Sequence, residues 1–505
     1  MSKIIMTRQH RHYKTRIPQL HNNILAKNGG HPYIDARLCR APNESTISWK
    51  GSETEEIPGR KQRAFLVNDA GRVVSKIEQY LFANSASRDG IDPQFSDDAT
   101  TTGLTIDSFW REVCNLYTAG QWVWLQADRG SPSMDPETGR PRPRTLAERE
   151  AAGDRIYWSI WPSTDVVDWR FDTSGNLLWL ICTDTEYENN DPMVDAKEVA
   201  VRKLWKRGTA GQGATWTRYI ENSKHEAEAV GSGSISIQDV PFEILGVPSS
   251  LPWWFDDIEM IQAALMNIAS LNNENLVKTV YPQLVVPTDM VESLESKLVE
   301  QTGMQAGRPV LELVREIIRG MDRPFVESVE SKDITRYLQP SAADLKALPE
   351  EEDRRRKQLF DVAGLALFNR ETKQVQSAES KQFDHLDTES TIQNRAILMQ
   401  EVENKMVALS KKLDSNFKEY TAEWPSSFDV PQTTEDVEAL VKLGNFTELT
   451  PGLQKQIRRM VVKLLDQIDR IPSEAKQALM AEIDSIADSG GFQLDPSTGG
   501  FLPNA

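Results

Sequence analysis

Cysteine is nearly missing from this chain of 505 residues: Cys39, Cys114 and Cys182 are an odd number and lie far apart. With no CxxC pair, they outline neither a disulfide framework nor a cysteine zinc site, and a reducing compartment is expected. Histidine is scarce too. Of six, His10 and His12 make a close pair with no acid or thiol beside them, a poor basis for a metal site. Nothing approaches the roughly 18 uninterrupted apolar residues of a membrane helix. The opening MSKIIMTRQHRHYKTR carries bases with no apolar core behind them, unlike a signal peptide. No phosphate-cradling GxxxxGK[ST], no GxSxG elbow and no HExxH occur, and the acidic run 184–195 lacks EF-hand spacing. The expectation is a soluble non-enzyme with no cofactor, no metal and no membrane association.

Positive charge is also in deficit, 58 Lys and Arg against 75 Asp and Glu, for a formal net charge of −17. A protein gripping DNA over its whole surface needs a basic footprint, so that class is excluded. The N-terminus is the exception. No acid precedes Asp35, while Lys3, Arg8, Arg11, Lys14, Arg16 and Lys27 give +6. With Asn28-Gly29-Gly30 and prolines at 18, 32, 42 and 58, residues 1–62 read as a basic, loop-rich arm, solvated or touching nucleic acid or an acidic neighbour.

What is present is globular: hydrophobic residues make up 39% and the length suggests about three domains. Helical spacing appears at Phe65, Val73, Ile77 and Leu81, and around Phe109, Val113 and Tyr117. From 155 to about 247 the pattern is that of strands. Tyr157–Trp161, Val166–Phe171 and Leu177–Cys182 are short apolar-aromatic runs, with Thr173-Ser174-Gly175-Asn176 as a hairpin turn. Val199–Trp205 and Thr215–Ile220 continue the meander. Eleven of the thirteen Trp lie between Trp110 and Trp254. Indoles in that number suit the core of a half-buried sheet better than a sugar-binding platform.

Past Pro252 helices dominate. Ile258, Ile261, Leu265, Ile268 and Leu271 stripe one face of a helix that stops at Pro282. After a mixed segment, Ser341-x-x-Asp344 opens a second helix, with Pro349 inside it and Gly364 at its end. Its block Glu350–Lys357 is four acids followed by four bases, and reads as a self-paired, solvated face. A loop, 365–376, leads to the longest helical signal, Ser377 to about Leu413, striped by Ile392, Ala396, Met399, Val402, Met406, Leu409 and Leu413. Such a helix spans about 55 Å, a length that coiled coils and ring assemblies use and single domains seldom need.

This order of elements, over roughly residues 63–490, resembles the portal proteins of tailed bacteriophages. Two stretches carry the resemblance. One is Trp158-Ser-Ile-Trp-Pro162-Ser-Thr-Asp165-Val-Val-Asp168-Trp169-Arg170-Phe171, followed by Gly175 and the Leu177–Cys182 strand, which is similar to the wing strands of one portal family. The other is Gly364-Leu-Ala-Leu, the loop, and Ser377-Ala378-Glu379-Ser380, similar to the portal tunnel loop and the helix after it. The resemblance implies an α+β, mainly helical fold. It divides into an N-terminal arm (1–62), a wing of helices and β-meander (63–255) and a stem helix (256–281). Next come a small α/β clip (282–335), a second stem helix (340–363) and a tunnel loop (365–376). A long wing helix (377–417), a helical crown (435–488) and a flexible tail (489–505) complete it. It further implies a ring, commonly a dodecamer, at one capsid vertex, through which double-stranded DNA is packaged and ejected. The partners implied are further copies of the chain, the terminase large subunit, a head-tail adaptor, and the major capsid and scaffolding proteins. Location would be the virion's portal vertex, with assembly in the host cytoplasm. In the tunnel loop, Arg370, Lys373 and Asn369 would touch the DNA, and no residue would be catalytic.

Two rivals stand beside this reading. Another oligomeric virion protein, a connector or minor capsid component, can combine long helices with a β wing. A carbohydrate-binding protein would use Trp158, Trp161 or Trp169 as ring platforms.

Overall fold

The computed structural model describes residues 2–41, 44, 49–52, 57–129, 155–187, 193, 198–221, 226–280, 283–287, 325–327, 336–338, 342–365, 378–425 and 428, with isolated positions beyond. The chain divides into two compact units, Met1–Tyr80 with Ser87–Trp424, and Leu81–Ala86 with Pro425–Ala505.

In the first unit, Gly51–Ser52 (β1) and Ile57–Pro58 (β2) form a short antiparallel pair, and Ser87–Asp89 (β3) pairs with Thr421–Glu423. The main sheets begin with Trp122–Arg129 (β4), whose first six residues are all buried. A strand covered on both faces shows no apolar-polar alternation, so no strand signal stands out there. It is flanked by Ile156–Pro162 (β5) and Phe242–Gly246 (β11) in a three-stranded sheet. Val166–Phe171 (β6), Leu177–Tyr187 (β7), Glu198–Lys206 (β8), Thr215–Glu221 (β9) and Ala227–Ser234 (β10) follow one another in a five-stranded antiparallel meander.

The expected meander therefore loses its first strand. Tyr157–Trp161 lies in β5 and pairs with β4, Trp161 opposite Trp124. The Asp165 N–H donates to the Pro162 carbonyl at 3.0 Å and turns the chain between sheets. The β6–β7 hairpin turns where its residues predict. The Asp172 carboxylate accepts from the Ser174 and Asn176 N–H groups, and Gly175 takes φ +84°, a conformation glycine adopts without strain.

Trp110, Trp122, Trp124, Trp158 and Trp205 are fully buried. Trp122 and Trp124 of one sheet pack against Trp169 of the other at ring-centroid distances of 6.2 and 5.7 Å. Each indole removes a large apolar area from water, which is how two small sheets share one stable core.

The N-terminus corrects its reading as a loop-rich arm. It is helical over Ser2–Thr7, Arg11–Asn28 and Gly30–Arg37. Ion pairs fasten it: Arg8 to Asp168 at 2.6 Å, Arg16 to Asp256 at 2.6 Å and Arg37 to Glu259 at 2.7 Å. The segment buries polar side chains, Arg16 and Asn23 among them, so hydrophobic periodicity does not reveal it. Pro18 stands inside the second helix and costs it one backbone hydrogen bond.

The helix Trp254–Val280 is about 40 Å long. It packs along Ala342–Val362, which contains Pro349. Between them, Gln283–Pro287 (β12) pairs parallel with Phe325–Glu327 (β13) and antiparallel with Arg336–Leu338 (β14). The β12–β14 pairing brings the end of the first helix to the start of the second. At the other end, Asp257, Met260 and Ile261 line one hollow with Arg355, Gln358 and Val362. The two helices are thus an antiparallel pair, closed at the far end by the β12–β14 ladder.

The charged block in the return helix is self-paired only in part. Arg354 and Arg355 both bind Glu351, but Arg356 reaches beyond Glu352 to the buried Asp69 at 3.1 Å. Gly364 ends this helix at φ +66°. Its N–H donates to the Asp361 carbonyl and that of Leu365 to Phe360, the double closure of a glycine cap. The long helix runs Ala378–Leu413 over β4 and β11, with Ile392, Ala396, Met399, Val402, Met406, Leu409 and Leu413 all buried.

In the second unit, Gln493–Leu494 and Phe501–Leu502 pair antiparallel, and Arg459, Val462, Leu479, Glu482 and Ile483 are helical. The expected crown 435–488 and tail 489–505 otherwise lie outside the described residues, as does most of the clip 282–335.

Candidate functional site

Arg370, Lys373 and Asn369 lie outside the described residues, which stop at Leu365 and resume at Ala378. The Gly364 cap and the start of the long helix bracket that loop.

The best-defined polar site is a joint at the start of the Trp254–Val280 helix. Asp256 sits in its first turn, where a carboxylate also favours the helix dipole. The Arg16 guanidinium donates to both Asp256 oxygens, at 2.6 and 2.8 Å, and Asn23 Nδ2 donates at 2.8 Å. Burial pushes the Asp256 carboxyl up, but these hydrogen bonds outweigh it and hold the group below its ordinary value. One turn on, Glu259 is wholly buried and accepts from Arg37, the Tyr33 hydroxyl and Gln19. Burial and the Glu259 carboxylate together push the Tyr33 phenol well above its ordinary value. Gln262, a further turn along, accepts from the Ala70 N–H and donates to the Val67 carbonyl. Three successive positions on one helix face are thus gripped by the N-terminal segment and the Asp69–Leu81 helix. The chemistry available is mechanical: the joint fixes the direction of the helix.

Such a joint fails when one partner is removed. Arg16→Ala is expected to cost about 3–5 kcal/mol in denaturant unfolding, because it strands the buried Asp256 carboxylate. Since the folded-state carboxyl sits below its unfolded value of about 3.9, its contribution is complete above about pH 4. It is lost as pH falls through the folded value. Wild type should therefore lose stability below about pH 4. Arg16→Ala should lose less over that range.

A second buried site ties the long helix to β3. Glu403, wholly buried, accepts from Arg88 at 2.6 Å, the Tyr420 hydroxyl and the Trp424 indole N–H. Arg395, on the same helix, donates to the Thr118 hydroxyl at 2.6 Å and faces the Trp254 and Tyr117 rings. Neither network was legible in the sequence, since their members are scattered singly along the chain.

The structure opposes the sugar-platform rival. Stacking on a sugar needs open ring faces, yet Trp158 is fully buried with its N–H on Ser410, and Trp169 is 4% exposed. Trp161 is half-buried and donates to Gln126. Among the described residues no cluster suits a metal ion, and no helix is long and apolar enough to cross a membrane. Burial raises the Cys114 thiol to about 11 and Cys182 to about 12, so neither is a thiolate at neutral pH.

No protein-family model matches the chain, and no curated protein matches it. Among solved structures it is similar to a chain in the virion of a native gene transfer agent particle. That match has 10% identity and a TM-score of 0.37, over 88% of this chain and 98% of that one. A chain in the neck of an empty gene transfer agent particle, computed with C6 symmetry, gives 10% identity and 0.37 over 77% and 89%. Overlap at that score assigns no function.

Proposed function

We propose that this chain is a virion structural protein of the head-tail region, and within that class a portal subunit. In this reading it assembles into a ring that passes double-stranded DNA and docks a terminase and a head-tail adaptor. The observation that carries the reading is the antiparallel pair Trp254–Val280 and Ala342–Val362 with its excursion at the far end. The pair is joined to a β-containing body, and a helix of 36 residues runs over that body's sheet. That order supports the reading, in which these elements would be stem, clip, stem and wing helix; the Trp158–Phe171 stretch lies in β5, the turn after it and β6. A net charge of −17 fits a conduit. Strong phosphate neutralisation would anchor the polyanion by counterion release at every contact, whereas an acidic wall lets it slide.

Ring assembly requires no DNA in this account. Nucleic-acid-free protein should sediment as one species of roughly a dozen copies, the count common among portal rings. A strictly monomeric species at micromolar concentration and physiological salt would count heavily against it.

A further inference from the structure

The N-terminal strap lies against the five-stranded sheet, and a histidine is among its contacts. His10 is the N-cap of the Arg11–Asn28 helix, and its Nδ1 accepts from the His12 N–H at 3.2 Å. An atom that accepts carries no proton, so the cap exists only with a neutral imidazole whose proton is on Nε2. The same ring stacks on Trp169 at 4.2 Å, and the His10 N–H donates to the Val167 carbonyl of β6. On either side other contacts hold the strap. Arg8 pairs with Asp168 and lies over the Trp179 ring, and Arg202 of β8 donates to the carbonyls of Ile5 and Arg8. The Tyr13 hydroxyl donates to the Thr164 carbonyl.

We propose that residues 2–13 form a strap whose hold on the five-stranded sheet is weakened in mild acid, with His10 as the latch. Protonation of Nδ1 turns the cap's acceptor into a donor facing another N–H. It also places a cation at the positive end of a helix. The charged groups facing His10 are Arg11 and His12 on its own segment and Asp168 on β6, with Arg8 and Arg202 close by. Asp168 and the Trp169 face favour the cation. Burial, His12 and Arg11 oppose it, and the balance keeps His10 below its ordinary value. The contribution of His10 to the hold is therefore complete above about pH 6.5 and is lost as pH falls through the folded value. Each opening would free Arg8 and Arg11 together with two imidazolium groups, turning an anchored segment into a basic arm. This inference does not depend on ring assembly.

Hydrogen exchange followed by mass spectrometry on the full chain tests it, with labelling times scaled for intrinsic rates at about pH 7.5 and about pH 5. Three variants separate the causes. His10→Asn keeps a good N-cap acceptor that does not titrate, His10→Ala removes the cap, and His12→Gln removes the neighbouring imidazole. Wild type should lose about tenfold of its protection over residues 2–14 in acid, the size of one lost helix cap. His10→Asn should stay protected at both pH values, and His10→Ala should be unprotected at both. Strands β8 and β9 should stay protected throughout. Equal wild-type protection at both pH values would overturn the proposal. So would an acid loss that persists in His10→Asn, one abolished by His12→Gln alone, or loss of protection across the whole sheet.

Discussion

Particles carrying Arg370→Glu with Lys373→Glu are expected to assemble normal rings yet hold shortened or poorly retained DNA. The segment bearing these bases follows the Gly364 cap and precedes the long helix. In the portal reading it points into the channel, and every copy in the ring contributes the same two bases. A single exposed contact with phosphate is weak. With roughly a dozen copies, the double reversal changes the charge around the duplex by about 48, and a counterion-release effect scales with every contact. Ring assembly is expected not to change. Genome length extracted from mutant particles is the measurement. Full-length, stably held DNA would place this loop on the outside.

Replacing residues 288–335 by a short Gly/Ser turn is expected to leave the body folded and abolish docking of a terminase or adaptor. β12 and β14 are already antiparallel neighbours, with Val285 opposite Arg336, so a short turn converts them into a hairpin. Loop-closure cost grows slowly with length, so shortening the excursion lowers that cost rather than raising it. The joint at Asp256 and Glu259 lies at the opposite end of the helix pair and should be untouched. Thermal unfolding within a few degrees of wild type, with no detectable partner binding, is the result anticipated. Global unfolding, or packaging at wild-type levels, would sink the assignment of this excursion as the docking element.

The parts of the fold legible in the sequence are those where one local rule decides. Gly175 and Gly364 mark their turns because a positive φ suits glycine there. The stripe from Ile392 to Leu413 shows the long helix because one apolar face is buried along its length. The tryptophans signal a core because few surfaces accommodate so many indoles. The failures share a different cause: long-range polar partners. Residues 1–37 look like an arm because Arg16, Asn23 and Arg37 are hydrophilic, yet their carboxylates wait more than 220 residues away on one helix face. β4 is buried on both sides and so shows no period of two. Arg356 has an acid one turn away in sequence and still reaches Asp69, whose burial makes an unpaired charge costly. The joint could have been suspected from Asp256 and Glu259, two acids at the start of a largely apolar helix, but nothing local says which bases meet them.

Negative-stain images of the purified, DNA-free protein test the central claim most directly. The account predicts closed rings with a hole through the centre, wide at the β-containing end and narrowing along the helix pairs. Single subunits, or closed particles with no central channel, would contradict it.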